Sequence, residues 1–253
     1  MNESAAKKLV VETLNQPYKL GRFENFVGNV VKDLEPRGQT YAGSYVYDAY
    51  REHISSYQRV GKYIDAENNI VDVLAVKLKT SSKLERARTM QRNFVAKYLD
   101  GGRGEQREAA LVAFHSEDSP DWRFSLVRMD YSLNMETGKV SKDLSPARRY
   151  SFLVGTNEKT HTAQHQFLPI LTKQTPPILP ELEDAFNIES VTREFFGKYK
   201  GLFLDLKEEL DSILANDPKA KADFETKSVT TTNFAKRLLG QIVFLYFLQK
   251  KGW

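Results

Sequence analysis

Two aspartates, Asp65 and Asp72, flank the segment Ala66-Glu67-Asn68-Asn69-Ile70-Val71. The residues on either side are β-rich, and a tight turn at Asn68-Asn69 would close them into a hairpin, since asparagine tolerates the positive φ such turns demand. A two-residue turn there sets Asp65 directly across from Asp72, with Cβ atoms ~5 Å apart. Two carboxylates that close repel each other unless one is protonated or a cation sits between them, and oxygen ligands of this kind suit Mg²⁺. The pair therefore reads as a metal site of a phosphodiesterase, or as a wet hairpin end with both aspartates facing water. His161 and His165 form a second i, i+4 pair in HTAQH, but no glutamate stands between them to act as the base of a zinc peptidase. The chain has no Cys, which removes disulfides, thiolate nucleophiles and Cys-based metal sites. Gly101-Gly102-Arg103-Gly104 lacks the spacing of a phosphate loop and follows a helix instead of opening one.

Positive charge is concentrated beside the aspartates. Residues 77–107 hold nine Lys and Arg against three acids, and the formal charge of the whole chain is +4. Arg86, Arg88, Arg92, Lys97, Arg103 and Arg107 are thus candidates to grip a DNA backbone without reading sequence, the alternative being a solvated helix face beside a loop.

These residues need a scaffold, and 253 residues with 41% hydrophobic and 28% charged content suffice for a sizeable core. Ile70–Leu78 is apolar on both faces, as expected of a central strand covered by helices on each side. SSKLERARTMQRNFVAKYL opens with a capping box, Ser82 and Glu85, and places Ala87, Met90, Phe94 and Tyr98 on one helical stripe. Strands are predicted at Ala109–His115, Phe124–Tyr131 and Tyr150–Val154, and earlier helices near Asn25–Asp33 and Tyr45–Ser55. Pro176, Pro177 and Pro180 read as a stiff connector, dividing an α/β domain over 1–182 from helices over 183–253. One long helix is expected over Ser190–Leu214 and another from Asn233. The latter becomes apolar nearly all round after Leu238, which calls for enclosure by a further domain, the first domain or a second copy. The longest apolar run, Ile242–Leu248, is too short for a membrane helix and the start has no signal-peptide core, so the expected location is cytoplasmic with no membrane contact.

The hairpin and its neighbours bear comparison with the PD-(D/E)xK nuclease core, in which an Asp and an acid two residues before a Lys share a metal. Here Ala75 stands two residues before Lys77, and Lys77 stands two before Lys79. Strand parity also turns Lys77 away from Asp72. Glu85 and Gln91 on the next helix are the remaining polar candidates. The strings KLERARTMQRNFVAKYL, AALVAFHSEDSPDWRFSLVRMDY, SPARRYSFLVGTNEKTHTAQHQFLPIL, VTREFFGKYKGLFLDLKEEL and NFAKRLLGQIVFLYFLQKKGW resemble the N-terminal region of single-chain type IIG restriction-modification enzymes, over most of residues 50–253. The resemblance implies a restriction-endonuclease-like α/β domain, a mixed sheet flanked by helices, over 1–182. It implies a helical connector over 183–253 toward an adenine-specific methyltransferase and a target-recognition domain beyond this chain. S-adenosylmethionine would belong to that methyltransferase, whose catalytic and methyl-donor motifs are not in this sequence. The implied activity is Mg²⁺-dependent hydrolysis of double-stranded DNA, with Asp65 and Asp72 as metal ligands, Lys77 or Lys79 near the scissile phosphate, and Glu85 and Gln91 in support. The alternative is a catalytically silent module of the same fold that holds DNA or a neighbouring domain.

Overall fold

The computed structural model describes residues 1–80, 84, 87–101, 107–133, 140–144, 151–158, 160–187 and 189–251. Chain contacts divide the protein into two compact units, Met1–Ile188 and Glu189–Trp253.

The first unit is built on a mixed sheet. Two helices come first, α1 (Glu3–Leu14) and α2 (Leu20–Val31). The Asn2 side chain caps α1 by accepting from the Ala5 amide at 2.8 Å, which satisfies one of the donors a helix start leaves unpaired. Strands β1 (Glu35–Ala42), β2 (Ile54–Ile64) and β3 (Ile70–Leu78) follow as an antiparallel meander. Helix α3 (Arg88–Leu99) then crosses over to β4 (Ala109–His115), which pairs in parallel with β3. The long β5 (Asp121–Leu133) runs antiparallel to β4 and also pairs with β6 (Val140–Leu144) and β7 (Ser151–Gly155). Helices α4 (His161–Thr172) and α5 (Leu179–Phe186) complete the unit.

Side-chain parity on β3 decides what each face of the sheet meets. Val71, Val73 and Ala75 point into a core built with α1, α2, α4 and α5, where Phe23, Phe26, Phe124, Phe167 and Phe186 interlock. Leu74, Val76 and Leu78 point the other way, into a core closed by Phe94, Val95, Tyr98 and Leu99 of α3. The strand is thus covered on both sides, as its doubly apolar sequence requires. Gly155, ending β7 at φ +137°, approaches β5 so closely that a Cβ there would lie 2.5 Å from the Asp121 Cα. Only glycine fits such a contact and such a φ.

Several elements depart from the sequence reading. Tyr45–Ser55 is not a helix: the short 3₁₀ turns Gly43–Tyr45 and Asp48–Tyr50 precede β2, with Tyr47 between them and Tyr50 packed on Phe94. The buried stripe of α3 runs through Gln91, Phe94, Val95, Tyr98 and Leu99, rotated from the one expected, while Ser82 and Glu85 of the proposed capping box lie outside the described residues. The proline segment is not a boundary either. Leu179, Leu182, Ala185 and Phe186 just beyond it are buried in the first unit's core, so α5 belongs there.

The second unit contains α6 (Glu189–Asn216), α7 (Pro218–Thr226) and α8 (Thr231–Lys251). Asp217 caps α7 through the Lys219 and Ala220 amides, with Pro218 in the first turn where its missing N–H costs nothing. On α8 the run from Ile242 to Phe247 is exposed, Leu245 at 62%. Among the described residues no helix is long and apolar enough to cross a membrane.

Candidate functional site

The hairpin between β2 and β3 closes differently from the two-residue turn. Ladder pairing ends at Ile64–Ile70, the Asp65 amide donates to the Asn69 carbonyl at 3.1 Å, and Asn68 takes the positive φ of +63°. Asp72 consequently sits opposite Lys62, three positions before Asp65. The aspartates are not cross-strand partners, and the expected ~5 Å pair does not form.

Each aspartate is instead saturated by its own donors. Asp65 Oδ1 accepts from the amides of Glu67 (2.9 Å) and Asn69 (2.8 Å), while Oδ2 accepts from Asn69 Nδ2 (2.9 Å) and the Leu179 amide (2.7 Å). Its side chain therefore shapes the loop and caps the start of α5. Burial raises its pKa most, but the bonds from Asn69, Leu179 and Glu67 together outweigh it and hold the carboxyl below its ordinary value. Beside it, Tyr63 donates its hydroxyl to the Pro177 carbonyl at 2.5 Å, and burial with the nearby Asp65 charge pushes that phenol up to about 12.

Asp72 is fully buried. Its Oδ1 meets Arg59 Nη2 at 2.8 Å, and its Oδ2 meets Arg107 Nε at 2.8 Å and accepts the Tyr98 hydroxyl at 2.6 Å. The Arg107 guanidinium also lies over the Tyr98 ring, 4.9 Å from its centroid. Burial, and then the charge and hydrogen bond of Asp72, drive the Tyr98 pKa far upward, so this phenol stays a donor. Arg59 comes from β2, Tyr98 from α3 and Arg107 from the approach to β4, so the cluster ties three elements together.

Mg²⁺ does not fit this donor set. A divalent cation at Asp72 would stand against two guanidinium groups, and at Asp65 it would displace four hydrogen bonds that define a loop. Among the described residues no group of three or more His, Asp or Glu is placed to hold a metal ion.

The other candidates are scattered. Lys77 lies on the opposite face of β3 from Asp72, as strand parity predicts, and pairs with Glu117 at 2.6 Å. Lys79 is exposed beyond the end of β3, its amide donating to the His53 carbonyl. Gln91 is buried at 2% exposure and donates Nε2 to the Leu84 carbonyl at 3.0 Å, which Arg123 also reaches through Nε and Nη2. Both side chains are thereby committed to the Leu84 carbonyl. Glu85, Arg86 and Arg103 lie outside the described residues. Of the remaining cations, Arg88 and Lys97 are exposed on α3 and Arg92 is half-buried with bonds to Asn93 Oδ1, but Arg107 is committed to Asp72 and is no surface grip. His161 and His165 both face outward on α4.

Sequence reasoning missed His115. It ends β4 beside Lys77 in the parallel register and stacks on Tyr18 with ring centroids 4.0 Å apart. Burial, and then the Lys77 charge, push its pKa down to about 4, so it is neutral at pH 7. Its position as the last, polar residue of an otherwise apolar strand was the available signal. Arg59 and Arg107 were missed as partners of Asp72 because nothing local in the sequence links them.

Comparison of the chain with family models, with curated proteins and with solved structures found no match.

Proposed function

We propose that this chain is the nuclease-like N-terminal region of a type IIG restriction-modification enzyme, and that it holds duplex DNA by the backbone without cutting it. The observation that carries the second half is Asp72, buried between Arg59, Arg107 and Tyr98. Two arginines already neutralise the carboxylate that a metal centre would need. Support for the first half comes from the sequence resemblance, together with a mixed sheet covered by helices on both faces. In this reading the sheet has the restriction-endonuclease-like arrangement, and the enzyme works in the cytoplasm. The second unit leads toward the methyltransferase and target-recognition domains, where S-adenosylmethionine binds. Arg88 and Lys97 neutralise phosphates, with the sequence-independent, salt-sensitive affinity that such contacts give.

The test uses this chain and the longer parent enzyme. Fluorescence anisotropy on a random-sequence duplex should show binding that weakens with salt, and each of Arg88→Glu and Lys97→Glu should lower the salt slope by about 1. Plasmid incubated with Mg²⁺ should stay intact through this domain. Magnesium-dependent cleavage by the parent that disappears in folded Asp72→Asn or Asp65→Asn protein would overturn the proposal and restore the hydrolytic reading.

A further inference from the structure

The segment between β1 and β2 builds a surface that shares only Lys97 with the preceding reading. Residues 43–51 are folded into a stiff loop by Arg51, whose Nε donates to the Val46 carbonyl at 2.9 Å and whose Nη2 donates to the Ser44 carbonyl at 2.8 Å and pairs with Asp48 at 2.5 Å. Gly43 opens the loop at φ +58°. Val46 is buried beneath it, and the rings of Tyr47 and Tyr50 rest against Phe94 of α3 at 5.9 and 5.5 Å. Tyr45 stands out of this rigid base with 67% of its surface exposed.

A groove of about 470 Å³ runs beside Tyr45, Tyr47 and Tyr50 and is bordered by Lys97. A second groove of about 230 Å³ adjoins it at Ser44 and is bordered by Arg51 and Lys79. Asp48, the acid in the lining, is already paired with Arg51. Among the described residues neither Lys79 nor Lys97 has an ion pair, so the joined surface keeps a net positive charge.

We propose that this loop is a stacking platform for single-stranded nucleic acid, with Tyr45 taking a base face and Lys97 and Lys79 taking flanking phosphates. The larger groove falls in the size range of small-ligand pockets and admits a nucleotide. The loop that carries Tyr45 is already folded around Arg51, so little backbone freedom is lost on binding, which favours stacking. Its face can reach a base only when that base is out of the duplex, so the platform selects single strands. Tyrosine-lined grooves also take proline-rich peptides, but two unneutralised lysines favour a polyanion. The proposal does not depend on duplex binding by Arg88.

Anisotropy of labelled (dT)₁₂ on the intact chain tests it, with (rU)₁₂ distinguishing an RNA source of unstacked bases from a DNA one. Tyr45→Phe should bind like the parent and Tyr45→Ala about 5- to 150-fold more weakly, the range expected for loss of one stacked base. Lys97→Glu with Lys79→Glu should flatten the salt dependence. Tyr45 is exposed, so its variants should melt with the parent protein. Equal affinity of Tyr45→Ala for (dT)₁₂, or competition for that strand by a proline-rich peptide, would overturn the platform. Arg88→Glu reports separately: it should weaken duplex binding and leave (dT)₁₂ unchanged.

Discussion

Replacing Asp72 with alanine separates a structural carboxylate from a catalytic one by the sign of its effect on stability. The side chain is fully buried, and its partners Arg59 and Arg107 are only 12% and 7% exposed. Alanine removes the counter-ion that both guanidinium groups share and leaves the Tyr98 hydroxyl without its acceptor. Breaking a buried ion pair by deleting one partner costs about 3–5 kcal/mol. In a unit the size of Met1–Ile188, each kcal/mol shifts Tm by about 2–4 °C, so a fall of about 6–20 °C is expected. Asp72→Asn keeps the shape and an acceptor but loses the charge, and should melt between the two. Because the residues touch, Asp72→Ala with Arg107→Ala should cost less than the two single losses combined. A carboxylate kept for a metal behaves in the opposite way: its removal leaves stability unchanged or raised, at the expense of activity. Thermal and urea unfolding followed by circular dichroism make the comparison. A loss under about 1 kcal/mol, or any gain, refutes the structural role assigned to Asp72.

Asp65, whose folded pKa is depressed, contributes stability that is complete above its ordinary value of 3.8 and is lost as pH falls through the lower folded value; acid titration of Asp65→Ala should lack that component of the wild-type transition. His115 has the reverse chemistry but the same direction. Its unfolded form takes a proton near pH 6.5 and its folded form only at about 4, so stability should decline as pH falls between those values, by up to about 3 kcal/mol, and His115→Phe should abolish the slope. Gly155→Ala places a Cβ 2.5 Å from backbone at φ +137° and should cost at least about 1–3 kcal/mol, measured by urea unfolding.

What was readable in the sequence was mostly what depends on parity and length. Ile70–Leu78 announces a doubly covered strand because both its odd and even positions are apolar, and it becomes β3 with a separate core on each face. Ala109–His115 and the long helix through Phe195 and Leu206 are legible in the same way. The short helix α7 lies between the two helices expected from the sequence, and its Asp217-Pro218 start is a legible signal. The candidate site fared worse, because its geometry is set by residues far apart. The hairpin register changes because the Asp65 side chain folds back on the Glu67 and Asn69 amides, giving a longer loop than asparagine content alone predicts. The proline segment looks like a linker, yet the Pro177 carbonyl and the Leu179 amide are partners of Tyr63 and Asp65. Tyr45–Ser55 has helical composition, but Arg51 and the ring contacts on Phe94 fold it otherwise.

The bonds from Tyr63 to Pro177 and from Leu179 to Asp65 each span 114 residues. A ribosome adding about 5–20 residues per second needs roughly 6–23 s to bring those partners out after Tyr63 and Asp65 have emerged. Throughout that interval the nascent sheet lacks α5, and the core face that Leu179, Leu182 and Phe186 will cover stays open. The first unit therefore matures late in its own synthesis, and a holdase would have its longest opportunity on that uncovered face.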